Sequence, residues 1–262
     1  MKYLFDDRDR IIQEVKSRAR RAFFLDYDGT LTPIVQDPEK ASLSSKYRKV
    51  IASLLRNEKN LVCIISGRAI EQLEGLIRLK GLVLAGNHGM EITGPGILYV
   101  NDGALRAKVL LTEIAHMLKL KLRDFEGILV EDKGLTVSVH YRMLAPSQHA
   151  HLKKFFYREM EKFLTSKTVV VTGGKRVLEV RPNVVWDKGS AVKWLLGYVS
   201  KNLLEEPYPI YMGDDETDED AFRALKGRGL TVLVSSQERE SEAAYFTRNV
   251  EEVYQFLRLF VN

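Results

Sequence analysis

Residues 22–30 read Ala-Phe-Phe-Leu-Asp-Tyr-Asp-Gly-Thr: four apolar residues, then Asp26 and Asp28 two positions apart, then Gly29 and Thr30. A short apolar run of this kind predicts a strand buried on both faces, as in a parallel sheet. Asp26 and Asp28 then leave the sheet at its carboxyl end, where open α/β sheets place their ligands. Gly29 permits an unusual backbone turn there, and Thr30 offers a hydroxyl. Residues 209–220, Pro-Ile-Tyr-Met-Gly-Asp-Asp-Glu-Thr-Asp-Glu-Asp, repeat the pattern: an apolar run delivers Asp214, Asp215 and Asp218. Helix caps and Asp-Gly turns account for either cluster alone. Two clusters, each directly after a strand, point to one shared site. Carboxylates gathered in one crevice repel one another unless a cation neutralises them. Hard oxygen donors in a chain with only five histidines favour Mg²⁺, which also coordinates phosphate.

Working outward, apolar runs alternate with helix-period segments. Tyr47, Val50, Ile51, Leu54 and Leu55 share one helix face, Leu61 to Ile65 forms the next strand, Ile70, Leu73, Leu76 and Ile77 mark a helix, and Leu82 to Ala85 a third strand. Between 103 and 182 the pattern changes. A helical stretch leads to Ile128-Leu129-Val130. After a turn at Gly134, Leu135, Val137 and Val139 alternate with Thr136, Ser138 and His140, the signature of an antiparallel strand with one wet face. Leu152, Phe155, Phe156, Met160, Phe163 and Leu164 form a helix face that reads as core. Val169 to Val171 and Val177 to Val180 flank a hairpin turn at Thr172 to Arg176. From Asp187 the helix–strand alternation resumes, with Pro209 to Met212 and Leu230 to Val234 as the last two core strands. The expected architecture is therefore a Rossmann-like α/β core, residues 1–102 and 183–262, interrupted by an α+β domain at 103–182.

Two more segments suit a phosphate. Ile64-Ile65-Ser66-Gly67-Arg68 places a hydroxyl after the second strand, with backbone N–H groups expected at the start of the next helix. Asp187-Lys188-Gly189-Ser190 opens another helix and offers an ammonium. Helix capping and a solvated lysine explain these singly. Together they supply the hydroxyl and cation that a metal-bound phosphoryl group needs.

This ordered set, Asp-x-Asp-Gly-Thr, Ser66, Lys188 and Gly-Asp-Asp, resembles the haloacid dehalogenase superfamily of phosphotransferases. The longer strings Asp26-Tyr-Asp-Gly-Thr-Leu-Thr-Pro-Ile-Val, Ala85-Gly-Asn-His-Gly-Met-Glu, Val130-Glu-Asp-Lys, Val139-His-Tyr-Arg, Val177-Leu-Glu-Val-Arg-Pro and Gly213-Asp-Asp-Glu-Thr-Asp-Glu-Asp resemble trehalose-6-phosphate phosphatases. The resemblance implies that Asp26 is the nucleophile and forms an aspartyl-phosphate, while Asp28 is general acid and then general base. It implies that Mg²⁺ is held by Asp26, the Asp28 carbonyl and Asp214, with Asp215 and Asp218 beside it. Ser66 and Lys188 would hold the phosphoryl oxygens, with Gly29, Thr30, Gly67 and Arg68 among the substrate-binding residues. The inserted domain would be a cap whose Glu131, Lys133, Arg142, Lys175 and Glu179 contact the sugar. His88 reads as a loop-structuring residue rather than a general base, because a carboxylate pair is already placed for proton transfer.

Composition bounds the alternatives. The 262 residues are 45% apolar and 29% charged, the balance of a soluble globular protein. The apolar runs, such as 61–65 and 81–86, fall far short of the roughly 18 residues of a membrane span. No secretory signal precedes Arg21, and the lone Cys63 forms no internal disulfide, so a soluble cytoplasmic protein is expected. The net charge of +5 is concentrated in 103–182, where 15 bases meet 8 acids. No helix there carries a dense basic face with interleaved aromatics, so the segment suits a small anionic ligand better than nucleic acid. The expected partner is trehalose 6-phosphate. A trehalose-phosphate synthase as protein partner is left open, as are two alternatives: a phosphatase or phosphomutase for another sugar phosphate on the same core, and a non-catalytic sugar-phosphate sensor.

Overall fold

The computed structural model describes residues 1–35, 37–174, 176–201 and 206–261. By contacts it divides into two compact units, one comprising Met1–Tyr99 with Trp186–Asn262, the other Val100–Val185.

In the first unit the chain runs through β1 (Lys2–Tyr3), α1 (Arg8–Ser17), β2 (Arg21–Asp26), α2 (Ser45–Leu55), β3 (Asn60–Ile65), α3 (Ile70–Ile77), β4 (Val83–Gly86), β5 (Glu91–Gly94) and β6 (Ile97–Val100). Among the described residues its sheet has nine strands. The order is β1-β13-β12-β11-β2-β3-β4-β5-β6, where β11 (Tyr208–Gly213), β12 (Leu230–Val234) and β13 (Tyr245–Thr247) come from the returning chain. All pairs from β1 to β4 are parallel, and β5 reverses against β4. The expected α/β class is what forms.

β2 lies in the middle because both of its faces are apolar. Phe23 and Leu25 enter a core with Val50, Ile51 and Leu54 of α2, Leu73 of α3, and Val253 and Phe256 of α8 (Val250–Leu257). Ala22 and Phe24 point the other way, onto Val192 and Leu195 of α6 (Lys188–Ser200) and Phe222 of α7 (Asp218–Leu225). Helices thus cover both sheet faces, which is how a parallel sheet hides its two apolar surfaces. From β2 the chain winds outward through β3 and β4 on one side. On return it winds through β11, β12 and β13 on the other. The strand order therefore switches between β2 and β11, the place where doubly wound sheets open a crevice. Leu25 is in register with Met212, so Asp26 and Gly213 emerge side by side.

The second unit stacks an antiparallel sheet, order β7-β8-β10-β9, on two helices. The strands are β7 (Leu129–Asp132), β8 (Val137–His140), β9 (Val169–Gly174) and β10 (Val177–Pro182); the helices are α4 (Asp102–Lys121) and α5 (His149–Thr165). Val137, Val139, Leu178 and Val180 pack on Leu111, Ile114, Leu118, Leu152 and Phe156, with Phe155 and Phe163 at the edge.

Several local expectations are corrected. Thr136 and Ser138 are buried, so that face of β8 is not wet: both hydroxyls donate to Glu179, and alternation alone cannot tell a solvated face from a hydrogen-bonded one. The turn between β9 and β10 is shorter than Thr172 to Arg176, because Gly174 still pairs with Val177. Leu230 to Val234 is not the last core strand along the chain, since β13 follows it and pairs with it, and β1 lies beyond β13. These strands, of three and two residues, are too short to carry a period. Nor do backbone N–H groups after Ser66 open the next helix directly, because α3 starts only at Ile70.

Candidate active site

Asp26 is the last residue of β2 and is 5% exposed. Lys188, the first residue of α6 and equally enclosed, donates from Nζ to Asp26 Oδ1 at 2.8 Å and to Asp218 Oδ1 at 2.7 Å. The helix start is fixed by Asp187, whose side chain accepts from the Ser190 amide. That cap aims Lys188 at the crevice. Burial alone would lower the lysine, but Asp218 and Asp26 push it well above its ordinary value, so its ammonium stays charged.

Asp218, the first residue of α7, is wholly buried and braces the loop after β11. Its Oδ1 also accepts from Tyr211 Oη at 2.7 Å. Its Oδ2 accepts from the amides of Asp214 and Asp215 at 2.9 and 3.0 Å. Two carboxylate oxygens offer about four lone-pair sites, and four donors fill them. Burial, followed by the neighbouring Asp218 charge, raises the Tyr211 phenol well above its ordinary value and keeps it a donor. Tyr211 was missed in the sequence, where it reads as one more apolar strand residue; its place two positions before Gly213 is the signal it left.

Carboxylate oxygens of Asp26, Asp214 and Asp218 lie within 4.8 Å of one another, a grouping able to hold a metal ion. Burial, reinforced by Asp218, Asp214 and Asp215, drives Asp26 well above the usual carboxylate range even though Lys188 opposes it. One ammonium does not balance these acids. The residues fit a hard divalent cation, which would supply the missing charge through oxygen donors. Gly29 adds a steric argument. It holds φ +94°, and a Cβ there would stand 2.2 Å from Asp214 Oδ2, so only glycine leaves that carboxylate its place. Gly29→Ala is expected to displace Asp214, lowering activity by about 10²-fold and raising the divalent-metal concentration for half-activity. Metal titration of activity checks this; unchanged metal dependence would count against the cradle.

Asp215 stands slightly apart. Its Oδ1 accepts from the Thr217 amide and hydroxyl at 2.9 and 2.7 Å. Burial would raise it, yet Lys188, the Thr217 bonds and His88 together hold it well below the usual carboxylate range. Thr30 is fully buried, and its Oγ1 has no hydrogen-bond partner among the described residues.

Across the crevice, Ser66 follows β3 and is 2% exposed; its Oγ accepts from the Arg68 amide at 3.2 Å. His88 donates its amide to Ser66 O at 2.8 Å, and its ring lies against Gly67, where a Cβ would be 2.8 Å from Cε1 and Nε2. Asn87 and His88 hold left-handed backbone, φ 48° and 58°, and Glu91 steadies them by accepting from Asn87 Nδ2 and the Ile70 amide. The imidazole thus shapes the loop that carries Ser66. Arg68 forks onto both oxygens of Asp28 at 2.6 Å.

In the second unit Glu131 and Ser138 are register partners, and Glu179 faces Ser138 from the other side. Glu179 Oε1 accepts from Lys133 Nζ at 3.2 Å, Thr136 Oγ1 at 3.4 Å and Ser138 Oγ at 3.3 Å. Glu131 Oε2 meets His140 Nε2 at 2.9 Å. Arg142 lies just beyond β8, half-buried. Lys175 falls outside the described residues. Thr136, Ser138 and His140 were missed as part of this polar face, because their role depends on which strands pair.

The trehalose-phosphatase family model matches residues 24–251. The chain belongs to the trehalose-phosphatase family. It is 36% identical over 258 residues to a probable trehalose-phosphate phosphatase of Oryza sativa subsp. japonica, covering 91% of this chain and 68% of the relative. It is 35% identical to a probable trehalose-phosphate phosphatase of Arabidopsis thaliana, covering 95% and 69%. Among solved structures, the C-terminal domain of the C. albicans trehalose-6-phosphate phosphatase superposes with TM-score 0.82 at 29% identity, over 97% of this chain and 96% of that one. A trehalose-6-phosphate phosphatase related protein gives 0.78 at 28%, over 90% and 95%. Membership makes this trehalose-phosphatase family chain a phosphoric monoester hydrolase. Among the described residues no helix is long and apolar enough to cross a membrane.

Proposed function

We propose that the protein hydrolyses trehalose 6-phosphate to trehalose and phosphate with Mg²⁺ and Asp26 as nucleophile. The observation that carries this is the meeting of buried Asp26, Lys188 and Asp218 with the half-buried Asp214 at the switch between β2 and β11. Asp26, the Asp28 carbonyl and Asp214 would hold Mg²⁺, which would neutralise charge on the phosphoryl oxygens when bound. Asp218 is better suited to bracing Lys188 and the Asp214 loop than to the ion, since its lone pairs are taken.

Asp26 attacks phosphorus as the bond to the sugar oxygen breaks, and the carboxyl proton of Asp28 passes to that oxygen. Asp28 then takes a proton from water as the water oxygen bonds to phosphorus and the aspartyl-phosphate bond breaks. Lys188 would hold Asp26 aligned and, with Ser66, stabilise the phosphoryl oxygens, while the bound cation would favour the ionised Asp26. The experiment is phosphate release from a panel of sugar phosphates with Mg²⁺ or EDTA. Trehalose 6-phosphate is expected to have the highest kcat/KM, with activity lost in EDTA; another best substrate would overturn the narrow assignment.

The polar face carrying Glu131, Lys133, Arg142 and Glu179 would read the sugar hydroxyls, with Lys175 assigned on resemblance alone. Disaccharide hydroxyls both donate and accept, and a buried Lys–Glu pair offers both functions. Lys133→Ala with Glu179→Ala is expected to raise KM for trehalose 6-phosphate about tenfold or more while leaving that for 4-nitrophenyl phosphate nearly unchanged. Equal effects on both substrates would remove these residues from sugar recognition.

A further inference from the structure

The Arg68 guanidinium is placed by several independent contacts. Its Nε donates to Asp28 Oδ2 and its Nη2 to Asp28 Oδ1, both at 2.6 Å, across forty residues of sequence. The Arg68 side chain is 10% exposed and lies over the Tyr27 ring, 5.7 Å from its centroid. Its backbone is tied on both sides: the amide donates to Ser66 Oγ, and the carbonyl accepts from the Asn87 amide. Asp28, by contrast, sits on the loop after β2 with its side chain 36% exposed. A planar, pre-ordered fork against a half-exposed carboxylate fixes the plane of the carboxylate, not the reverse.

We propose that Arg68 is a positioning residue that sets the orientation of the Asp28 carboxylate, rather than a side chain that grips the phosphoryl group. The inference rests on the proposed function, because it concerns the acid–base group of that reaction. Each carboxylate oxygen has two lone-pair sites, and the fork occupies one of each. The remaining site on each oxygen turns away from the guanidinium and is the one through which a proton passes. Free rotation about the Asp28 side-chain bonds would scatter that direction. Both proton transfers depend on it: proton to sugar oxygen as the P–O bond breaks, and proton from water as the aspartyl-phosphate is hydrolysed.

Arg68→Lys separates charge from fork, since an ammonium still attracts phosphate but cannot hold both oxygens. With trehalose 6-phosphate, kcat is expected to fall about 10²-fold. The Ki of inorganic phosphate is expected to stay within about threefold of wild type. With 4-nitrophenyl phosphate, whose leaving group needs no proton, Arg68→Lys should show a burst of one equivalent of nitrophenol and then a slow phase. Acid quenching should trap aspartyl-phosphate in that phase, because water attack still requires Asp28. Adding Arg68→Lys to Asp28→Asn should cost nothing further beyond about threefold, as expected when one residue acts through the other. A raised Ki for phosphate with kcat preserved, no burst, or an additive double variant would each overturn the assignment. Wild-type protein that releases no phosphate from either ester would overturn the proposed function and this inference with it; turnover by wild type with any of the preceding failures overturns this inference alone.

Discussion

Asp26→Asn is expected to lower phosphate release by on the order of 10⁴-fold or more, because the amide cannot form the proposed acyl phosphate on which both proposed half-reactions depend. The substitution conserves shape, so substrate binding should persist and be measurable by calorimetry. Its effect on the fold should be the opposite of its effect on rate. In the metal-free protein Asp26 is raised well above the usual carboxylate range by burial and by Asp218, Asp214 and Asp215. A carboxyl raised in the folded state takes up protons on folding, so its ionisation costs stability as pH rises through its unfolded value. At neutral pH and in EDTA the Asn variant should therefore melt no lower than wild type. Turnover within tenfold of wild type would remove Asp26 from its role, and a large fall in melting temperature would mean that Asp26 is structural.

Lys188→Met is expected to fail in both respects. The ammonium sits between Asp26 and Asp218, with its side chain 2% exposed. Its removal leaves two buried carboxylates facing each other, a change that typically costs about 3–5 kcal/mol. Turnover should be lost as well, since Asp26 loses the cation that holds it and, on the proposed function, the phosphoryl oxygens lose a donor. Mg²⁺ should restore part of the stability and little of the rate. Denaturant midpoints with and without Mg²⁺ read the first effect, and phosphate release reads the second. A variant as stable as wild type in EDTA would show that the carboxylates tolerate one another without the lysine. The opposite stability signatures of Asp26→Asn and Lys188→Met test one electrostatic picture from both sides.

The class of fold was legible because a parallel sheet writes itself into sequence as short runs apolar on both faces. Phe23 and Phe24 are adjacent and point to opposite cores, as a strand covered on both faces requires of a short apolar run. The short flanking strands β1 and β13 were illegible, since two or three residues carry no period. At and just before β8, Ser138 and Thr136 looked solvated because a polar residue facing Glu179 and one facing water are the same letter.

The same distinction governs the site. Sequence alone was enough to read the runs before Asp26 and Asp214 as strands, which puts both acids at the carboxyl edge of a sheet. It also determined that glycine follows Asp28, where positive φ and the approach of Asp214 admit no Cβ. Which groups pair was set by packing. That Asp218 spends its lone pairs on Lys188, Tyr211 and two amides, and that Arg68 forks onto Asp28, depends on distances between segments 3 to 40 residues apart. Spacing along a chain fixes direction within one element, whereas a hydrogen bond is made or lost within less than an ångström, and only packing sets the separation between elements to that tolerance.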